Sequence, residues 1–413
     1  MLNHRGHMSH HPCSKCTVVG RHENGRSVFN STTFSLRTDV AYSRCVDRKH
    51  HKEGQSPLAH LPIGMVSDVP FEYMHLVCLG VMKRILSAWV LGTFSPVSKL
   101  STSSYTTVCS RLNTLRQFCP SDFARRPQSL DVFSKFKATE FRQFLLYTGP
   151  LVLYGLTDDS IYKHFLLLHS AIRVLVASAS TLELRFAEIS LQKFVQRCYE
   201  LYGPSFCSYN LHGLLHLTND VRHLGNLDSF SAFPYESNMM MFRKYCRKPH
   251  LSLQQFCRRM DEIQFNSNQE ISNDDPSIPK FVHYRNTNNR AGYSKILFNN
   301  LLLTTEIRDN CCLLRDNSIC VIVDIVINEN LYLLQVKKFI ELEPFYDIGI
   351  KSSDIGIYKC SSLHSEIVSV PLSNVVAKCY RMPFFSKETE HANNTDIDEN
   401  STYVVFTIIH SEN

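Results

Sequence analysis

The 413 residues contain no uninterrupted apolar stretch long enough to span a bilayer. The most apolar segment, Phe165 to Ala179, is interrupted by His169 and Arg173 and falls short of the roughly 20 residues a crossing helix needs. No apolar leader follows Met1, so the expectation is an intracellular chain without a membrane segment. No run of five or more Lys and Arg residues occurs, which removes a compact nuclear-import signal as an argument for residence. No internal repeat or sustained heptad register recurs, which excludes a solenoid or a long coiled coil. A helix-turn-helix or finger with a readable base code is also missing. Neither sign of charge dominates: 44 Lys and Arg against 38 Asp and Glu leave +6. That balance permits a polyanionic partner without demanding one.

What is present suits a folded chain. Hydrophobic residues make up 44% and aromatics 11%, enough to bury a sizeable core in two or three domains. Fifteen cysteines are scattered through the chain, not clustered as in a small disulfide scaffold, and read as reduced thiols.

The first seventy residues are rich in His, Cys, Arg, Ser and Gly and have little periodicity. A loop-dominated module of that composition needs something besides an apolar core to hold it, and a metal ion is the obvious candidate. From Phe71 the pattern changes: Met74, Val77, Cys78, Val81, Ile85, Leu86 and Trp89 keep helical spacing and predict a helix ending near Gly92. Further helical periodicity covers about Tyr105–Phe118, Glu140–Tyr147, Ser160–Ala177, Leu182–Tyr202, Ser208–Arg222, Asn238–Arg247 and Leu253–Ile263. Gly149-Pro150, Gly203-Pro204 and Lys248-Pro249 are read as breaks. The expected organisation is a zinc-binding loop-rich segment over 1–70 and a helical region over 71–265. A polar linker over 266–292 and a small β-rich domain over 293–413 follow, the latter with a disordered stretch at 386–401. Its strands are expected at Ser318–Val326, Leu331–Phe339, Glu366–Val370 and Thr402–His410.

Three groups of residues carry chemistry. Cys13-Ser14-Lys15-Cys16 has the spacing at which two thiolates chelate one zinc ion through a tight turn, with two ligands still to be found. Nearby candidates are His7, His10, His11, His50 and His51; a distant pair, His212 and His216, sits one helical turn apart on one face. Ordinary thiols and core-capping histidines are the alternative reading. Glu72 and His75 stand three apart at a helix start, where they can meet, or where Glu72 merely favours the helix dipole. Glu236 opens a helix whose next turns carry Arg243, Lys244, Arg247 and Lys248, and Arg258 and Arg259 follow. A carboxylate beside a basic helix can hold a divalent metal while the cations hold phosphates; a capped surface helix with solvated charge is the alternative.

In order along the chain, CSKCTVVG, SLRTD, HHKEGQSPL, FEYMHLVCLGVMKRIL, KATEFRQFLLYTGP and HGLLHLTNDVRHLGNLDSFSAFPYES resemble the transposases of CACTA-like DNA elements, the CMC superfamily of animal genomes. The match runs from about His7 to Met260 and continues more weakly through the tail. The resemblance implies a mainly α chain: a large helical insertion of a ribonuclease-H-like transposase core, with a zinc-binding N-terminal segment and a small β-rich C-terminal domain. Three carboxylates would hold two Mg or Mn ions for strand cleavage and transfer. It places zinc on Cys13, Cys16, His212 and His216, an order and spacing shared with the vertebrate antigen-receptor recombinase, and the third catalytic carboxylate on Glu236. Glu72 and His75 match a DxMH signature with glutamate in place of aspartate.

The same resemblance puts both catalytic aspartates upstream of the CxxC, where the sequence offers only about a dozen residues; Asp39 and Asp68 do not restore the set. The expectation is therefore an N-terminally truncated transposase remnant, a DDE-type transposable-element protein inactive as a nuclease. It is expected to be nuclear, with residual DNA binding through Arg243, Lys244, Arg247, Lys248, Arg258 and Arg259 and with a homodimer as a second partner. Two alternatives stand beside it: a zinc-stapled helical interaction or dimerisation module without DNA function, and a longer, fully catalytic protein of which this chain is part.

Overall fold

Residues 2–23, 25–177, 179–267, 279–287, 290–328, 331–385 and 401–409 are described by the computed structural model. Residues 268–278 and 288–289 of the expected linker at 266–292, and all but Ser401 of the stretch expected to be disordered at 386–401, lie outside these residues.

The helical body is built on one central helix, Met74–Leu91. It passes the length and composition test for a membrane crossing, yet Val77, Cys78, Val81, Ile85, Leu86 and Trp89 are buried in the protein core. It ends where expected, at Gly92, whose φ of 67° closes the last turn in the left-handed region that glycine adopts without strain. Its first half is not α: Met74–Met82 is wound as a π-helix and only Lys83–Leu91 is α. Around it pack Thr102–Leu115, Asp159–Val176 and Thr181–Tyr202. The last of these opens with a Ser180/Glu183 capping box that satisfies two otherwise orphan backbone N–H groups.

The expected break at Gly149-Pro150 is corrected. Ala138–Gln143, the π-turn Phe144–Thr148 and Gly149–Val152 run on as one helical path, the π-winding standing just before Pro150, whose missing N–H interrupts the regular α ladder. Glycine is required at 149 for closeness, since a Cβ there would stand 2.5 Å from the Phe144 carbonyl and 2.8 Å from the Phe165 ring.

The strands are β1 (Arg21–Glu23), β2 (Arg26–Val28), β3 (Lys280–Thr287), β4 (Arg290–Phe298), β5 (Leu301–Thr304), β6 (Cys311–Leu314), β7 (Ile319–Asn328), β8 (Leu331–Pro344), β9 (Ile357–Leu363), β10 (Val368–Pro371), β11 (Val375–Pro383) and β12 (Tyr403–Thr407). The first two form a small hairpin, and the other ten make one antiparallel sheet. Its pairings return on themselves: β6–β7–β8–β9–β12–β11 and back to β6. Six strands thus close into a barrel, filled by Cys311, Ile319, Val321, Phe339, Cys360, Cys379, Tyr403 and Val405. The start of the domain is corrected by β3, which lies inside the expected linker. It is an edge strand at the end of the sheet order, and edge strands tolerate polar composition that reads as loop.

Besides its own clusters, the β-rich part shares the helical core. Phe345, Ile357, Tyr380, Met382, Val404 and Phe406 join the same apolar cluster as the central helix. Arg173, almost fully buried, donates from its helix to the carbonyls of Ile355 (2.7 Å) and Thr407 (2.7 Å) and to Thr407 Oγ1 (3.0 Å). A second tie is Lys378 on β11, with 0% side-chain exposure, held by Asp309 at 2.7 Å and by Asp122. The coarse expectation of a helical body followed by a β-rich region therefore stands, with one apolar cluster crossing between the two and two more inside the β-rich region.

Candidate metal centre

The N-terminal seventy residues hold little regular structure: the β1–β2 hairpin, Asp39–Ser43 and a short turn at Pro57–His60. Their own apolar clusters are small, one around Cys13, Cys16, Val18 and Phe29 and one around Tyr42, Met65 and Val66. Cys13 and Cys16 are both at 0% exposure. Arg37 Nε holds their turn, donating to the Cys13 carbonyl at 2.9 Å and the Cys16 carbonyl at 3.0 Å.

His212 ends the helix Tyr209–Gly213, and His216 follows in the tighter turn Leu214–His216, so both face the same way. Two glycines let this segment lie close against the central helix. A Cβ at Gly80 would meet Asn210 Nδ2 at 2.4 Å, and one at Gly213 would meet Leu76 Cδ1 at 2.6 Å. The result is a buried tetrad in which Cys13, Cys16, His212 and His216 each offer one donor atom, all within 4.8 Å of one another.

The distances test whether the set fits a metal. Cys13 Sγ lies 3.5 Å from His216 Nε2, Cys16 Sγ 3.2 Å from His212 Nε2, and the two Nε2 atoms 3.2 Å apart. Tetrahedral zinc, with Zn–S about 2.3 Å and Zn–N about 2.0–2.1 Å, requires S···N edges of about 3.5 Å and N···N edges of about 3.3 Å. The donor set and its spacing therefore suit a metal ion such as zinc. Burial opposes ionisation of Cys13, but hydrogen bonds from Cys16, His212 and His216 outweigh it and hold this thiol well below its usual range. Cys16 is held above it, first by sharing its proton with Cys13 and then by burial. The surroundings thus favour ionisation at Cys13 first, and the thiolate is the form that binds metal.

Among the described residues this is the only such group of three or more potential ligands. The local histidines considered as alternatives sit elsewhere. His50 and His51 pack edge-on around Tyr42, His10 Nδ1 bonds the Gly20 carbonyl, and the His11 carbonyl bonds His50 Nδ1. His7 is exposed.

Two residues beside the tetrad escape motif reading. Lys15, between the cysteines, reaches Asp220 at 2.6 Å with side-chain exposures of 7% and 4%, and also donates to the Val66 carbonyl at 2.6 Å. Asp220 accepts from the Phe71 N–H at 2.9 Å as well. The available signal was position: His212, His216 and Asp220 form an i, i+4, i+8 stripe on one face.

Nearby in sequence but open to solvent is a second group. Glu72 caps the central helix through the N–H groups of Met74 and His75, both at 2.7 Å, and accepts from the Ala232 N–H at 2.8 Å. It thereby fixes the entry to the helix Phe233–Tyr245, which carries Glu236. His75 Nδ1 lies 2.6 Å from Glu72, and its Nε2 faces Glu236 at 3.9 Å. The structure thus brings Glu72, His75 and Glu236 together, with the imidazole between two carboxylates. Such a group can accept a proton or share a cation. Arg243, Lys244, Arg247, Lys248, Arg258 and Arg259 lie on the helical hairpin beyond, formed by Phe233–Tyr245 and Ser252–Ser267.

One family model matches the chain. It is a domain of unknown function, DUF8592, and covers residues 280–407. Its bounds coincide with the start of β3 and the end of β12, so the family unit is the β-rich region alone. No curated protein and no solved structure matches the chain.

Proposed function

We propose that the chain is the zinc-stapled helical part of a CACTA-like DNA transposase. On this reading it contacts DNA through its basic hairpin, and these 413 residues alone perform no strand transfer. The observation that carries the reading is the tetrad. Cys13 and Cys16 meet His212 and His216 across sequence separations of 196 (Cys16 to His212) and 203 (Cys13 to His216), in the order and spacing of that family, with Glu236 following on the next long helix. The bound ion would be structural zinc held by those four residues, joining the entry loop to the helical body. Glu236 is the one member of the family's three metal-binding carboxylates with a counterpart here, beside Glu72 and His75. Mg or Mn belongs to relatives carrying all three, since a lone carboxylate does not hold a two-metal site. The ribonuclease-H-like core and nuclear residence belong to this reading as well.

The test is metal content by mass spectrometry together with DNA binding as a function of salt. One zinc per chain, lost in the His212→Ala, His216→Ala double variant, is expected. So is binding to duplex DNA that weakens steeply as salt rises. Zinc retained in the double variant, or no DNA binding at low salt, defeats the reading.

A second reading, a zinc-stapled interaction or dimerisation module, has one observation in its favour: the helix Phe233–Tyr245 buries none of its residues, leaving Met239, Met240 and Phe242 exposed. A stable dimer without DNA affinity would select it.

A further inference from the structure

Between Ser237 and Met260 there are six Lys and Arg residues and no Asp or Glu. All six lie on the hairpin of Phe233–Tyr245 and Ser252–Ser267 or on the turn joining them. That turn is firmly built. The Gln255 side chain accepts from the N–H groups of Arg247 (3.0 Å) and Lys248 (3.1 Å) and donates to the carbonyls of Lys248 (3.0 Å) and His250 (2.7 Å). Its own N–H bonds the Leu251 carbonyl at 3.0 Å, and Cys246 Sγ reaches the Ser252 carbonyl at 3.4 Å.

Held by these bonds, Leu251 sits at φ 58° with its side chain 68% exposed. A bulky L-residue in the left-handed region is strained by about 1–2 kcal/mol, and an exposed leucine recovers nothing through packing. Leu253, two residues on, is 73% exposed. The apex of the hairpin therefore presents apolar side chains at a narrow end, backed by cations on both helices.

Over the whole hairpin Glu236, Asp261 and Glu262 offset three of the six cations, and Arg259 pairs with Glu262, so an excess of +3 remains, with Arg243, Lys244, Arg247 and Lys248 clear of acids towards the turn; that excess complements a polyanion. Met239, Met240 and Phe242 are exposed along the first helix, but Leu251 stands beyond them at the turn on a strained backbone, and a single projecting leucine suits a gap between bases better than the extended face a lipid surface takes up. A duplex offers phosphates on both flanks and base steps that open to an apolar wedge such as leucine. We propose that the hairpin is a DNA-distorting wedge: Arg243, Lys244, Arg247, Lys248, Arg258 and Arg259 grip phosphates, while Leu251 enters between stacked base pairs, with Leu253 behind it. This rests on the DNA contact proposed above and specifies how the duplex is held.

The experiment uses the full chain and a duplex carrying 2-aminopurine at flexible pyrimidine–purine steps. Binding is followed by anisotropy and unstacking by the fluorescence of the base analogue. Wild-type protein is expected to bind with a steep salt dependence and to raise the fluorescence. Leu251→Ala should bind within about threefold of wild type, since the phosphate contacts remain, but lose the rise, and Leu251→Met should keep it. Arg247→Ala with Lys248→Ala should lower the salt slope by about two. Tight binding with silent fluorescence, or a rise that survives Leu251→Ala, overturns the wedge and leaves the phosphate contact standing. No binding at low salt overturns the DNA reading itself. Binding to phosphatidylserine vesicles in preference to duplex overturns DNA as the occupant.

Discussion

Replacing Asp220 by alanine isolates what holds the N-terminal segment to the helical body apart from the metal ligands. Burial pushes the Asp220 carboxyl above its usual range, and the Lys15 ammonium at 2.6 Å pulls it back, so the pair is ionised against a desolvation cost. Removing the carboxylate leaves Lys15 buried with only the Val66 carbonyl, a loss of about 3–5 kcal/mol for a broken buried pair. The Phe71 N–H loses its acceptor in the same step, worth about 1–3 kcal/mol. Together the cost is about 4–8 kcal/mol, comparable with the whole stability of many domains. Urea unfolding at neutral pH, followed by circular dichroism, reads this as a lower midpoint. The double variant Lys15→Met, Asp220→Leu removes both charges and fills similar volume, so it should recover most of the loss. A cost below about 1 kcal/mol for Asp220→Ala, or a double variant as unstable as the two singles summed, would refute the reasoning.

Arg173→Met removes the donors that join the helix Asp159–Val176 to the barrel at Ile355 and Thr407; about 3–5 kcal/mol is lost, and calorimetry should show one transition splitting into two. Gly213→Ala drives a methyl to within 2.6 Å of Leu76 and should cost about 1–3 kcal/mol while weakening zinc affinity, both measurable by titration with a competing chelator. Acidification should destabilise the fold through two core histidines: burial depresses His164 to about 4 and His169 to about 3. Because their unfolded values lie near 6.5, the unfolded chain takes up both protons as the pH falls towards about 4 while the folded chain takes up neither. Stability should drop by up to about 2.7 kcal/mol per pH unit in that window, and a slope unchanged by His164→Phe with His169→Phe would contradict this.

Much of the helical body was legible because its segments bury one stripe and expose another, as in Thr102–Leu115 and Thr181–Tyr202, the latter with a capping box and glycine marking its ends. The π-winding of Met74–Met82 was not, since an apolar segment buried on most sides carries no period that separates a wider turn from an α turn. Strands β7, β8 and β12 stood out as β-branched runs, whereas β3 and β6 did not: one is polar at a sheet edge, the other a four-residue CCLL. The Cys13, Cys16, His212 and His216 tetrad could be assembled only through the family resemblance, because no local spacing links a CxxC to a histidine 196 positions away. The Lys15–Asp220 pair and the glycines at 80 and 213 are consequences of tertiary approach, which composition does not encode.

Removing the metal offers a sharper test of what the tetrad does than stoichiometry alone. The contact closes a loop of 196 residues, a restriction worth about 5 kcal/mol of chain entropy in the unfolded state. The main apolar cluster, however, draws only Val28 from the first seventy residues, so the body from Met74 onward keeps its own core without that closure. Chelation should therefore release the N-terminal segment and leave the helices folded. Limited proteolysis after chelation is expected to cut within residues 2–70 first, with helical circular dichroism nearly unchanged, and zinc should restore protection. If the helical signal instead collapses with zinc loss in one step, the metal holds up the whole body, and the division between a stapled entry segment and a self-sufficient core is wrong.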